Sequence, residues 1–594
     1  MDKREINSIA ILLIIIAGLG IYCNTLQNEF VWDDFVLIGN NDYVKDWGYL
    51  PQILRSSLYC NKNPNLVKLD KESSDFYRPL QTISYLVDHT VWKLNHGGYH
   101  LTNMLLHILT ALLLYGFVGL ISNNQKMSFA AALLFVCHPI HTQAVTYIAG
   151  RADVLSGLFL LLMLILYIKE LYVAALASLA LALLSKEISL IFPLILVAYE
   201  ISFGGEKRTI KQNLIRRLGP FFALSFVYVL MRLTVLNFAT ESVFRAKMDF
   251  YIRLVTAPRI AIEYIRLLFF PLKLHMYRYI TVSRSILDIR VIIAVIVLAC
   301  LFAAMCMSRR RSRVIFFGML WFFILLFPVL GVFAALNAQM AEHWLYLPSM
   351  GFFVVLSSII SRIYDMRSAK VLIVAIFIAV VAASSFLTFE RNKDWKDDFT
   401  IYANTLKYSP YAADVHYNMG NAYLRKEMHD EALAAYQESI RLKTNIMGSY
   451  INIGGIYNSR GEHEKALAVL HKAARIDPEY ALIYQAMGVV NITTERYKDA
   501  IKAYEKAIEL DPELVGGYGG LGVAHLKTGS YRKSEHYLQK ALKLMPYHAD
   551  LHYQLGTVYF YKGNLKKAEI EWKRALDLNP NHRLARDSIE KLTP

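Results

Sequence analysis

Residues 28–40 read NEFVWDDFVLIGN, so Asp33 and Asp34 stand side by side among Phe30, Val31, Trp32 and Phe35. A carboxylate pair pressed against apolar side chains is poised to have one pKa raised, which suits a general base taking a hydroxyl proton. Spacing alone fits an ordinary solvated pair of loop acids equally well. Cations recur further along, in Tyr77-Arg78-Pro79-Leu80, Gly150-Arg151-Ala152-Asp153, Ser185-Lys186-Glu187 and Glu342-His343. Arg78, Arg151, Lys186 and a protonated His343 suit a phosphate or pyrophosphate. His100, Asn103 and His107 share one helical face, and His138-Pro139 is followed by His141. Cations for a phosphate and carboxylates for a hydroxyl together describe transfer of a group from a lipid phosphate to a hydroxyl. His138 and His141 with Asp33 or Asp34 could instead hold a divalent metal; that reading is less favoured, because His-Pro at a helix end is also a plain kink.

These fragments matter only if the chain brings them to one side. Of 594 residues 55% are apolar and 19% charged, and mean hydropathy is +0.32. That balance excludes a disordered chain, a fibrous repeat and a disulfide scaffold, and the length calls for more than one domain. Up to about residue 389 apolar runs of membrane length predict some eleven spans, near 6–23, 99–121, 128–147, 153–168, 171–184, 188–203, 218–236, 291–307, 314–335, 344–361 and 371–389. The first has no small-residue cleavage site and reads as an anchor. Segment 253–272 carries Arg253, Arg259, Glu263 and Arg266 and is expected to lie at the interface. With that segment outside the bilayer, Lys3/Arg4, the stretch Lys207 to Arg217, Arg309–Arg313 and Arg362/Arg367/Lys370 all fall on the cytoplasmic side. The outer loop 24–98 and the C-terminal half then lie opposite. Lys and Arg number 64 against 48 Asp and Glu, a formal +16. Part of that excess thus orients a membrane protein, and with no zinc spacing or basic-aromatic motif no nucleic-acid partner is expected. Cys60 stands alone in the outer loop, and the C-terminal half has no cysteine.

Beyond residue 411 a Gly recurs every 34 residues, at Gly420, Gly454, Gly488, Gly522 and Gly556. Ala432, Ala466, Ala500, Ser534 and Ala568 follow twelve later, and Pro478, Pro512, Pro546 and Pro580 close the units. This is the tetratricopeptide (TPR) pattern, with small residues where paired helices touch. Five repeats are expected over 412–581, a half repeat in the junction 390–411 and a capping helix at 582–594. Asn418, Asn452 and Gln554, on the first helices, are candidates for holding the backbone of an extended peptide acceptor in the groove.

The blocks FVWDD (30–34), YRPL (77–80), YHLTNMLLH (99–107), HPIHTQAV (138–145), GRADVL (150–155), SKE (185–187), AEHWLYLPSMGF (341–352) and RNKDW (391–395), followed by the repeats, resemble the TMTC family of transmembrane and tetratricopeptide-repeat-containing O-mannosyltransferases. The resemblance implies an all-α architecture: a polytopic GT-C-type glycosyltransferase domain over 1–389, then a TPR α-solenoid. It also implies mannose transfer from dolichyl-phosphate-mannose, or a shorter polyprenyl carrier in a bacterial homologue, to hydroxyls of extracytoplasmic proteins in the ER lumen or periplasm. Asp33 or Asp34 becomes the base. Arg78, Arg151, Lys186 and His343 become donor-side candidates; the polar residues gathered beside them, His100, His107, His138, His141, Asp153 and Glu187, are taken as donor-binding too, and no cofactor is established beyond the lipid-phosphate sugar as donor substrate. Two departures stand out: the family usually carries Glu at the position of Gln143 and Arg at that of His343. The rival reading is a non-catalytic membrane TPR scaffold for envelope or polysaccharide assembly.

Overall fold

A computed structural model of the chain describes residues 3–59, 76–204, 210–236, 249–333, 338–366, 368 and 370–592. Cys60, Lys207 and Arg367 lie outside the described residues. Among those described there is no strand, only helices and one isolated bridge between Arg278 and Met340, in keeping with the all-α expectation. The chain forms two compact units, one of described residues up to Ser409 and one from Pro410 onward.

In the first unit, fourteen helices of eight residues or more run in order. They are α1 (Lys3–Tyr22), α2 (Pro79–Trp92), α3 (His96–Ser122), α4 (Gln125–Cys137), α5 (Arg151–Ile168), α6 (Tyr172–Leu183) and α7 (Phe192–Phe203). Then come α8 (Ile210–Thr234), α9 (Phe250–Phe269), α10 (Ile289–Arg311), α11 (Arg313–Leu326), α12 (Tyr346–Asp365), α13 (Lys370–Asn392) and α14 (Asp398–Tyr408). Eight of these, α1, α3, α5, α8 and α10 to α13, are long and apolar enough to cross a bilayer, and α4 with residues 139–145 makes a ninth if that 51° bend is one span. The chain is a membrane protein. Of the some eleven expected spans, 171–184 and 188–203 contain the helices α6 and α7, which have only 12 residues each among the described residues. At 1.5 Å per residue such a helix is about 18 Å long, against a hydrocarbon core of about 30 Å.

Local chemistry sets the boundaries. Asn95 and Asn124 cap α3 and α4 by accepting the Gly97 and Met127 N–H groups, each at 3.1 Å. Pro139 cannot continue α4, so the chain turns there. Within the apolar core, close approach needs small residues: a Cβ on Gly351 would fall 2.5 Å from the Gly318 carbonyl oxygen of α11. Helix α9, expected at the interface, buries Val255, Ile260, Tyr264 and Leu267 and exposes Phe250, Tyr251, Leu254 and Phe269.

The second unit is the TPR array: five helix pairs from Ala413–Arg425 to Leu565–Leu578, then a last helix Arg583–Glu590. The 34-residue glycines face the large residue sixteen positions on, Tyr436, Leu470, Tyr504, Leu538 or Trp572, so a side chain there would collide with the pair's own core. Segment 394–410, expected as half a repeat, contains a 3-10 turn (Lys393–Trp395) and one helix, α14, both within the first unit.

Replacing Gly351 with Leu should cost about 1–3 kcal/mol through overpacking. Gly116→Leu on α3, where a Cβ meets nothing within 4 Å, should be close to neutral. Thermal unfolding of the detergent-purified chain compares the two.

Candidate functional site

The adjacent carboxylates of 33 and 34 go to different surroundings. Asp34 is fully buried, and its oxygens accept the Val31 N–H at 3.2 Å and the Ala149 N–H at 2.9 Å. Burial pushes its carboxyl up to about 8, although those two backbone bonds pull the other way and Asp33 adds to the rise. Asp33 is half-buried, and its Oδ2 accepts the phenol hydroxyls of Tyr147 at 2.9 Å and Tyr59 at 3.2 Å. Such donors stabilise an anion. Trp32 just before the pair has φ +52°, a left-handed conformation that costs a bulky residue of order 1–3 kcal/mol. Its indole stacks on Tyr147 at 5.5 Å, and Tyr147 stacks on buried Trp395 at 5.3 Å.

The 150–153 motif opens α5 and organises the centre. A Cβ on Gly150 would meet the Gln143 and Ala144 carbonyls at 2.6 and 2.7 Å, so only glycine lets the chain pass. Arg151, wholly buried, pairs with Asp88 of α2 at 2.6 Å. It also donates to Asn103 Oδ1 (2.5 Å), Ser84 Oγ (3.1 Å) and the Tyr99 carbonyl (3.1 Å). Two residues on, Asp153 accepts the Lys186 ammonium at 2.6 and 2.7 Å. Arg78, at the N-terminus of α2, presents its Nε–Nη2 edge to both oxygens of Glu187 at 2.9–3.2 Å. Burial alone would raise the Glu187 carboxyl, but Arg78 outweighs it and holds it below the usual range. The Leu80 N–H bonds the Leu184 carbonyl at 3.0 Å, fixing α2 to the break between α6 and α7.

Arg78, Asp153, Lys186 and Glu187 therefore form one cluster, within electrostatic reach of the His343 ring. The His343 Nδ1 is buried and has no hydrogen-bond partner among the described residues. Tyr59, whose hydroxyl bonds Asp33, also lies near Arg78. Arg232, near the end of α8, acts on Glu187. The positions of the two family departures meet: Gln143 Oε1 accepts the His343 backbone N–H at 3.0 Å.

Other expected donor-side residues are placed elsewhere. Arg151 is spent on protein acceptors. His107 bonds the Tyr346 hydroxyl at 2.9 Å, and His141 bonds the Phe135 carbonyl at 2.7 Å and Ser349 at 2.9 Å. His138 bonds the Leu268 carbonyl at 3.1 Å, and all three rings pack with Phe135, Phe353 or Tyr346. His100 is buried on α3. These imidazoles are buried core groups, with both His100 ring nitrogens and the His107 Nε2 lacking a hydrogen-bond partner among the described residues, and among those residues no cluster of three His, Cys, Asp or Glu is arranged to hold a metal. Glu342, next to His343, is fully buried between Arg278 and Arg391 at 3.2 and 3.3 Å, making its own network. Sequence reasoning missed Tyr59, Tyr147, Asp88 and Arg232; of these only Arg232, a cation closing an apolar run, carried a legible signal.

In the array, Asn452 Nδ2 donates to Asn421 Oδ1 at 2.9 Å and to the Tyr436 hydroxyl at 3.0 Å, stitching the first two repeats together. Asn418 is half-buried, and the Gln554 Oε1 is buried without a partner among the described residues.

A family model described as the Cilia and flagella-associated protein 70 C-terminal domain matches residues 382–592. Over 450 residues the chain is 26% identical to "Protein O-mannosyl-transferase F38B6.6" of Caenorhabditis elegans, covering 72% of this chain and 62% of that one. Over 490 residues it is 26% identical to "Protein O-mannosyl-transferase TMTC3" of Homo sapiens, covering 75% and 53%. Against "Protein O-mannosyl-transferase TMTC2" of Homo sapiens identity is 38% over 153 residues, 26% of this chain and 18% of that one. The resemblance to TMTC proteins read from the sequence blocks is thereby shown. The chain spans 62% and 53% of the length of the first two of these relatives. Among solved structures, the crystal structure of YrrB, "a TPR protein with an unusual peptide-binding site", is 23% identical and covers 32% of this chain and 97% of that one, with a TM-score of 0.26.

Arg151→Met should cost about 3–5 kcal/mol, because it strands the buried Asp88 carboxylate, and adding Asp88→Leu should recover part of the loss. Thermal unfolding of the single and double variants measures this. A second test is pH. Between the ordinary carboxyl pKa of about 3.9 and the folded Asp34 value of about 8, the folded state holds a proton the unfolded state has lost. Wild-type stability should therefore fall as pH rises from about 4 to about 8, and Asp34→Asn should remove that part of the fall.

Proposed function

We propose that this chain is a membrane glycosyltransferase of GT-C type that moves a sugar, most simply mannose, from a polyprenyl- or dolichyl-phosphate donor to hydroxyl groups of extracytoplasmic proteins. The observation that carries the reading is that residues 149–153 hold the Asp33–Asp34 loop at one end, through the Ala149 N–H, and Lys186 of the cationic cluster at the other, through Asp153. The names of the relatives support the same chemistry.

In this mechanism Asp33 takes the proton of an acceptor Ser or Thr hydroxyl as its oxygen attacks the anomeric carbon, with inversion. Asp34, with its carboxyl pushed up to about 8, is protonated at neutral pH and holds the loop through Ala149 and Val31. Keeping one of two neighbouring carboxyls neutral removes a repulsion that would otherwise resist ionisation of the other. The phosphate leaves toward Arg78, whose Nη1 is not used by Glu187, and toward Lys186, Arg232 and the His343 Nδ1. Glu187 and Asp153 hold those cations in place before the donor arrives, so little reorganisation remains for the reaction. The TPR array presents the acceptor chain on the extracytoplasmic side, with the amides of Asn418 and Gln554 facing peptide backbone and Asn452 bracing the first two repeats.

The test is mannosyl transfer by the purified chain from a mannosyl-phosphoryl-polyprenol donor to a pool of Ser/Thr peptides, read by mass spectrometry. Asp33→Asn should lower the rate by at least about 10²-fold, Arg78→Gln should raise the donor KM, and Asp34→Asn should stay within about tenfold of wild type. Unimpaired transfer in Asp33→Asn would remove the mechanism.

A further inference from the structure

The loop that carries Asp33 is held by residues 389–398, far along the sequence from it. Asn24 Nδ2 donates to the Phe389 carbonyl at 2.8 Å, and Asn28 Nδ2 to the Asn392 carbonyl at 3.1 Å. The Glu29 N–H donates to the Lys396 carbonyl at 2.8 Å. Asn392, fully buried, returns bonds to the Ile21 carbonyl and to Asn24 Oδ1, both at 2.9 Å, and accepts the Thr146 hydroxyl at 2.8 Å. The last of these links is the one nearest the chemistry. The Trp32 N–H donates to Asp398 Oδ1 at 2.9 Å, and Asp398, the first residue of α14, is buried.

Trp32 is where the backbone is least comfortable. Its φ of +52° is the bend after which Asp34 turns inward to Ala149 while Asp33 meets Tyr59 and Tyr147. A tryptophan does not keep a left-handed conformation without something holding it. Two things do: the stack on Tyr147 and Trp395, and the hydrogen bond to Asp398. Trp395 belongs to the same post-span segment as Asp398, so residues 389–398 supply the rear wall of the base-carrying loop.

We propose that Asp398 is a positioning residue for the base: by accepting the Trp32 N–H it fixes the bend that aims Asp33, without touching donor or acceptor itself. This rests on Asp33 being the base of the transfer proposed above. Because the role is hydrogen-bond acceptance, an uncharged oxygen at the same place should serve. Displacing a reacting group by an ångström can cost about 10²-fold in rate with binding left intact.

The experiment compares Asp398→Ala, Asp398→Asn and Asp33→Asn in the full-length, detergent-purified chain. Its substrates are mannosyl-phosphoryl-polyprenol and the Ser/Thr peptide pool, and kcat and donor KM are both measured. Asp398→Ala should lower kcat by about 10²-fold with donor KM within about threefold of wild type, and Asp398→Asn should recover kcat to within about threefold. Wild-type kcat in Asp398→Ala, or a loss in Asp398→Asn as deep as in Asp33→Asn, overturns the proposal. If Asp398→Ala is not recovered folded, Asp398→Asn decides by the same criterion. A wild-type chain inactive with this donor overturns the transferase reading itself and this inference with it. An active wild type with an indifferent Asp398→Ala overturns only the inference.

Discussion

A guanidinium with no exposed surface, Arg151, sets the terms for the rest of the first unit. A charge so buried must be paired and fully hydrogen-bonded, and the groups that do this come from three stretches of chain. Asp88 and Ser84 bring α2, Asn103 and the Tyr99 carbonyl bring the start of α3, and the arginine itself opens α5. Its neighbours extend the reach in both directions. Ala149, two residues before, ties down Asp34, and Asp153, two residues after, holds Lys186. A run of five residues thus joins the base-carrying loop to the cationic cluster. Arg151 does not contact substrate in this account; it is the reason the groups that do are where they are.

The second theme is the unequal treatment of like neighbours. Asp33 and Asp34 have one covalent chemistry and two environments, one faced by phenol hydroxyls and one sealed under backbone amides. Arg78 and Arg151 diverge the same way: Arg151 spends its donors on the protein, whereas Arg78 keeps one edge unused by its carboxylate partner. Histidine shows a third version, since both ring nitrogens of His141 are bonded to protein while His343 keeps a buried nitrogen without a partner among the described residues.

What the sequence made legible follows from period and composition. Five 34-residue units with glycine at the helix contact left little choice but a TPR array, and the glycines do abut Tyr436, Leu470, Tyr504, Leu538 and Trp572. Apolar length found the long helices, and at 171–203 the break read at Ser185–Glu187 is present, with a 12-residue helix on either side. The site was legible as residue types and not as roles. Nothing in DD says which carboxylate is buried, and nothing in GRAD says that its arginine is structural. Tyr59 and Tyr147 are two tyrosines among 38, picked out only when folding brings them to Asp33. The partnership of Trp32 with Asp398, 366 residues apart, has no local signature at all.

The central claim is that Asp33 and the Arg78–Lys186 cluster are two ends of one site spanned by a lipid-phosphate sugar. The most direct measurement is a cryo-electron microscopy structure of the purified chain with a non-transferable mannosyl-phosphoryl-polyprenol analogue. The account predicts phosphate density within hydrogen-bond reach, about 3 Å, of Arg78 and Lys186, and the anomeric carbon turned toward Asp33. A phosphate bound away from both cations, or a sugar facing away from Asp33 with the phosphate in place, would contradict it.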